Sequence, residues 1–136
     1  MADFVLDTSA IMAHLRGERG GETVRQLLAA ANNDATSRIF LPFISMMEVE
    51  HLLLRHEGRV RAEQVVSVLR AWPVEIIESN ENWRHEAARV KASAQVSTVA
   101  AWIASLALVR DAQLVHKDPE FDLISGLKVL KLPYKK

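Results

Sequence analysis

Short, continuously apolar runs alternate along this chain with longer stretches whose apolar residues recur every three or four positions. Phe4-Val5-Leu6 is the first run, made of strand formers and stopped by Asp7. Ala10 to Leu15 follows as a short helix, with Thr8 or Ser9 as its expected N-cap. Gly17 ends that helix, and Gly20-Gly21 marks a break. Glu22 to Ala31 places Val24, Leu27, Leu28 and Ala31 on one helical face, and Asn32-Asn33-Asp34 reads as a loop. Arg38-Ile39-Phe40-Leu41-Pro42 predicts a strand buried on both faces, whose ladder ends, or lies at an edge, at Pro42. Ser45 is the expected cap of a helix through Arg55, with Glu48 in capping-box spacing. After Gly58, Val60 to Trp72 repeats the helical period through Val65, Val68, Leu69 and Trp72. Pro73 to Ile77 is a third strand. Asn80 or Asn82 opens a helix to about Ala94, and Ser97 caps an apolar helix from Ala100 to Val109. Gln113-Leu114-Val115-His116 is a fourth strand stopping at Lys117-Asp118-Pro119, and Val129-Leu130 is a candidate fifth.

Apolar strands alternating with helices predict an α/β fold. The expected form is a three-layer α/β/α sandwich around a parallel sheet of four to five strands. The 136 residues suit one domain, 1–136, and the 49% hydrophobic content can build its core. Without Cys there is no disulfide framework and no thiol nucleophile. Lys+Arg 17 against Asp+Glu 17 gives a net charge of +0, so no gross basic excess argues for nucleic acid, although local patches remain open. No apolar run reaches the roughly 20 residues of a membrane helix. The N-terminus lacks the pattern of a signal peptide. A cytoplasmic protein with no membrane partner is the expectation.

In parallel sheets ligands bind outside the carboxyl ends of the strands. Asp7 ends the first strand, Asp118 ends the fourth, and Glu48 lies early in the helix after the second. Two of them have a plain structural explanation alone, Asp7 as a helix cap and Glu48 as a capping-box residue. Together they place three carboxylates at one end of one sheet. Crowded carboxylates raise one another's pKa unless a cation intervenes. Mg²⁺ resolves that conflict while keeping several waters, and a cation so held can activate water and stabilise a phosphodiester in transition.

Asp7-Thr8-Ser9-Ala10-Ile11, after a Phe-Val-Leu strand, resembles the opening motif of PIN-domain ribonucleases, above all the VapC-like toxins of type II VapBC toxin–antitoxin modules. Ile44-Ser45-Met46-Met47-Glu48-Val49 resembles that family's second motif, and Leu114 to Phe121 its last, with Asp118 as the terminal acidic residue. The similarity spans essentially the whole chain in order. It implies a PIN fold and a prokaryotic, cytoplasmic endoribonuclease toxin that uses Mg²⁺, with Mn²⁺ as a substitute. It also implies an RNA substrate, a cognate antitoxin protein and a homodimer.

One position departs from the family. Its third acidic residue lies in a Ser-x-x-Asp-Ala-x-Ile-Ala pattern, where this chain reads Ser97-Thr98-Val99-Ala100-Ala101-Trp102-Ile103-Ala104. Ala100 therefore stands where the resemblance expects Asp. An engineered Asp→Ala change and a naturally degenerate member are the two readings, and the intact flanks favour the first. The alternative in function is a naturally non-catalytic PIN module that acts by binding antitoxin or RNA. In the intact site the resemblance implies that Asp7, position 100 and Asp118 serve the metal. Glu48 would position or deprotonate the attacking water, and Thr8 or Ser9 would orient Asp7 or a metal-bound water. The products would carry a 3′-hydroxyl and a 5′-phosphate.

Arg16, Arg38, Arg55 and Lys117 are candidate contacts for RNA or antitoxin, as are Arg19, Arg59 and Arg61, most of which read equally as solvated helix faces, and the basic end Lys131 to Lys136 steers RNA or is a frayed tail. His51, His56 and His85 lack metal-ligand spacing, and His116 reads as a packing residue at a strand end. Glu120 and Asp122 read as solvating or capping residues. Trp102 and Ile103 read as core or subunit interface. A phospho-acceptor receiver domain needs an acidic pair after the first strand, and a haloacid-dehalogenase-like phosphatase needs Asp where Ser9 stands, so both fit poorly.

Overall fold

The computed structural model describes residues 2–33 and 37–134. Five strands, β1 (Phe4–Leu6), β2 (Ile39–Pro42), β3 (Glu75–Ile77), β4 (Gln113–His116) and β5 (Val129–Lys131), form one sheet in the order β3-β2-β1-β4-β5. Every neighbouring pair is parallel, with Val5 opposite both Phe40 and Leu114. Six α-helices fill the crossovers: α1 (Thr8–Leu15), α2 (Gly21–Asn33), α3 (Phe43–Glu57), α4 (Arg59–Ala71), α5 (Glu81–Ser93) and α6 (Thr98–Arg110). A 3₁₀ turn, Pro119–Leu123, follows β4.

Alternation along the strands divides the core into two layers. Leu6, Ile39, Leu41 and Val115 pack with Ile11, Val24, Val49, Leu53, Val65 and Leu69 of the first four helices. Val5, Phe40 and Leu114 point the other way, onto Trp83, Val90, Ile103, Ala104 and Ala107 of α5 and α6. Both faces of the inner strands are therefore dry, which explains why their residues read as unbroken apolar runs. This is the expected three-layer α/β/α arrangement, with the fifth strand present. Among the described residues, no single helix is long and apolar enough to cross a membrane.

The structure corrects several local expectations. Asp7 itself caps α1, its side chain accepting from the Ala10 N–H, so neither Thr8 nor Ser9 is the cap. The capping box at Ser45 does not form. Helix α3 begins at Phe43 directly after Pro42, leaving Ser45 inside the first turn, where its hydroxyl donates to the Leu6 carbonyl at 3.4 Å. Pro42 is the last residue of the interior strand β2, where a missing N–H costs the ladder least. Asn32 and Asn33 belong to α2, and Asp34 lies outside the described residues. Val68 is 49% exposed, because Ala62 joins Val65 and Leu69 on the packed face of α4. Asn80 and Ser97 do cap α5 and α6.

Candidate active site

The strand order reverses at β1, since β2 lies on one side of it and β4 on the other. At such a point the crossovers diverge and leave a crevice beyond the strand ends. Asp7 leaves β1 and Asp118 leaves β4 on either side of that crevice. Glu48 enters from α3, and Ala100 from the first turn of α6. All four line one pocket of about 390 Å³, together with Thr8, Ser9, Arg16, Glu18, Glu120 and Tyr134.

Asp7 is 2% exposed and held on both oxygens. The Ser9 hydroxyl approaches Oδ1 at 2.8 Å and Oδ2 at 2.7 Å, and the Ala10 N–H donates to Oδ1 at 2.7 Å. Burial pushes the Asp7 pKa up to about 7; the bonds from Ser9 and Ala10 oppose the rise, and the charge of Asp118 adds to it. Ser9 also accepts from the Lys117 N–H at 3.0 Å, so one hydroxyl ties the ends of β1 and β4 together. Thr8 donates to the Glu48 carboxylate. Asp118 accepts from the Glu120 N–H at 2.9 Å, closing a tight turn over Pro119. Its own N–H donates to His116 Nδ1 at 3.1 Å. His116 is fully buried, as its reading as a packing residue requires.

The basic candidates separate. Arg16 is exposed on the pocket rim. Lys117 lines the pocket, but its ammonium is buried and used: Nζ donates to the Arg19 carbonyl at 2.8 Å and lies 3.6 Å from Glu18. It ties down the loop after α1 and presents no free charge. Arg38 precedes β2 at the opposite end of the strands and forms a paired contact with Glu75, at 2.7 Å on each nitrogen. Arg55 is exposed on the last turn of α3, away from the pocket lining. Lys135 and Lys136 lie outside the described residues.

Glu120, expected as a solvating or capping residue, lies in the pocket lining. Its carboxylate accepts from Ser97 Oγ at 2.7 Å and lines the pocket beside Ala100. Its spacing, two residues after a strand-end Asp and one after Pro, was the available signal. Asp122, by contrast, pairs with Lys131 at 3.0 Å and with Tyr134, as a peripheral group does.

The donor set suits a hard cation in type. Asp7 and Asp118 are carboxylates close enough for one charge to raise the other's pKa, a conflict that a dication relieves. Among the described residues, however, no three His, Cys, Asp or Glu side chains gather closely enough to form a metal cage. Ala100, in the first turn of α6, adds no donor to the set. Mg²⁺ uses one or two carboxylates with water and phosphate completing its shell, so the pair fits it.

Comparison with known proteins gives the same architecture. The PIN domain family matches residues 4–127. Among solved structures, the VapBC2 complex from Rickettsia felis, bound to a promoter DNA fragment, contains a chain superposing with TM-score 0.76 at 16% identity, covering 96% of this chain and 98% of that one. A chain of DNA-bound VapBC from Salmonella typhimurium gives TM-score 0.76 at 20% identity, again over 96% and 98%. VapBC-5 from Mycobacterium tuberculosis gives 0.67 at 16%, over 96% and 99%. These identities speak for the fold. No curated protein matches the sequence.

Proposed function

We propose that this chain, which belongs to the PIN-domain family, is a Mg²⁺-dependent endoribonuclease of the VapC toxin type whose activity is impaired by Ala100. The observation that carries this reading is the convergence of Asp7, Glu48, Asp118 and Ala100, from four separate elements, on one pocket. Asp7 and Asp118 would hold the cation. When bound, a divalent cation supplies a Lewis acid for the scissile phosphate and lowers the pKa of a bound water.

The chain's own residues supply the rest. Ser9 bridges both oxygens of Asp7 and fixes its plane. Thr8 orients the Glu48 carboxylate, which stands at the pocket wall to align the attacking water and take its proton. Arg16 on the rim meets the RNA phosphate as a point of electrostatic attachment. With Ala100 the pocket lacks one negative charge at the first turn of α6, so cation affinity and cleavage fall together. A cognate antitoxin accompanies this reading, supported by the likeness to VapBC complexes, and a homodimeric state is part of the proposal. Mn²⁺ would replace Mg²⁺.

The test is Ala100→Asp. Mg²⁺-dependent cleavage of RNA should appear in that variant and be absent or far slower in the parent chain. An Ala100→Asp protein that folds, binds Mg²⁺ no better and leaves RNA intact sinks the assignment. RNA or antitoxin binding without cleavage by either protein favours the non-catalytic module.

A further inference from the structure

We infer that His116 is a positioning residue for Asp118: its Nδ1 holds the Asp118 amide and thereby sets where the carboxylate stands in the pocket. This rests on the reading of Asp118 as a metal-site carboxylate. The imidazole is fully buried, with Phe121 at 5.0 Å and Tyr134 at 6.2 Å between ring centroids. Nδ1 accepts the Asp118 N–H at 3.1 Å, which requires a free lone pair there and puts the ring proton on Nε2. Nε2 is buried and has no hydrogen-bond partner among the described residues. An unpaired buried donor is unfavourable, and a leucine would fill this apolar place without it. Packing alone therefore does not explain an imidazole here. The Nδ1 acceptor does.

The local backbone makes that acceptor consequential. Pro119 follows Asp118 and offers no N–H, so the turn is held by the Asp118 side chain on the Glu120 N–H at 2.9 Å, by the Asp118 carbonyl on the Phe121 N–H at 3.3 Å, and by His116 on the Asp118 N–H. The His116 carbonyl is itself held by the Leu132 N–H at 2.7 Å, anchoring the end of β4 to the chain beyond β5. Without Nδ1, the part-buried Asp118 amide loses the acceptor that the fold gives it. The peptide then rotates to find a partner and carries the carboxylate with it.

Two substitutions separate acceptor from volume. In His116→Asn the side-chain oxygen falls near the place of Nδ1. In His116→Leu the volume is kept and the acceptor is lost. Nitrogen NMR of the unsubstituted chain should report the Nε2–H tautomer. Amide exchange at Asp118 should be protected in the chain and in His116→Asn, and roughly tenfold faster in His116→Leu. In an Ala100→Asp background, Mn²⁺ affinity should fall roughly tenfold with His116→Leu and recover with His116→Asn, because a displaced carboxylate is a lost ligand. An Nδ1–H tautomer overturns the inference, and so does full Asp118 protection in His116→Leu. If no variant takes up Mn²⁺, the metal-site reading is what fails, and tautomer and amide exchange still decide the hold of His116 on Asp118. The tautomer is read on the parent chain, so poor folding of a variant leaves the test intact.

Discussion

Replacing Asp7 by Asn should stabilise the protein while disabling its proposed site. Burial raises the Asp7 pKa from 3.8 to about 7, against the pull of its bonds to Ser9 and Ala10 and with help from the charge of Asp118. The folded state thus holds a proton that the unfolded chain has already released between about pH 4 and 7. Stability contributed by this residue is present in full below pH 4 and is lost as pH rises towards 7. A shift of about three pK units corresponds to about 4 kcal/mol. Asn resembles the protonated acid in shape and caps a helix as well as Asp does, so the bond from the Ala10 N–H survives. Urea unfolding of both proteins in EDTA should show Asp7→Asn more stable by up to about 4 kcal/mol at pH 8, with the gap closing towards pH 4.5. In the Ala100→Asp background, saturating Mg²⁺ should narrow the gap at pH 8 by stabilising only the protein that keeps Asp7. A variant that is less stable at pH 8, or a gap independent of pH, would show that burial of the Asp7 charge does not outweigh its bonds to Ser9 and Ala10.

Other consequences follow from particular contacts. Trp83 is 1% exposed, donates from its indole to Ser105 Oγ and the Trp102 carbonyl at 2.9 Å each, and meets the Trp102 ring edge-on at 4.9 Å. Trp83→Ala should therefore cost about 4 kcal/mol in urea unfolding. Arg38→Ala removes an exposed pair at the end of the sheet opposite the pocket, so thermal melting and RNA affinity should both stay nearly unchanged. Arg16→Ala, on the rim, should weaken RNA binding across sequences and lower the slope of log affinity against log salt by about one.

The sheet was legible in the sequence because burial on both faces leaves a strand no polar alternation. The period switch into helices then marked each crossover. The strand-end acids Asp7 and Asp118 followed from that topology alone. Glu48 was legible as a residue and misread as a contact. Capping-box spacing assumes that Ser45 is the N-cap, whereas Pro42 takes that place three residues earlier, freeing Glu48 to meet Thr8 across 40 positions of sequence. Lys117 and Arg38 looked alike as free cations. Whether a cation is spent depends on what a distant loop or strand brings to it, here the Arg19 carbonyl and Glu75, and spacing carries no trace of either. Glu120 was hidden for the same reason, since its bond to Ser97 joins two separate turns.

The central claim is that Asp7 and Asp118 share one divalent cation and that position 100 completes its binding. Crystals of the Ala100→Asp variant soaked in Mn²⁺ test it directly through anomalous scattering. The account predicts a single strong peak within bonding distance of the Asp7 and Asp118 carboxylates, and a weak peak or none in the parent chain soaked alike. A pocket without a peak in the variant, or a peak that touches neither aspartate, would contradict it.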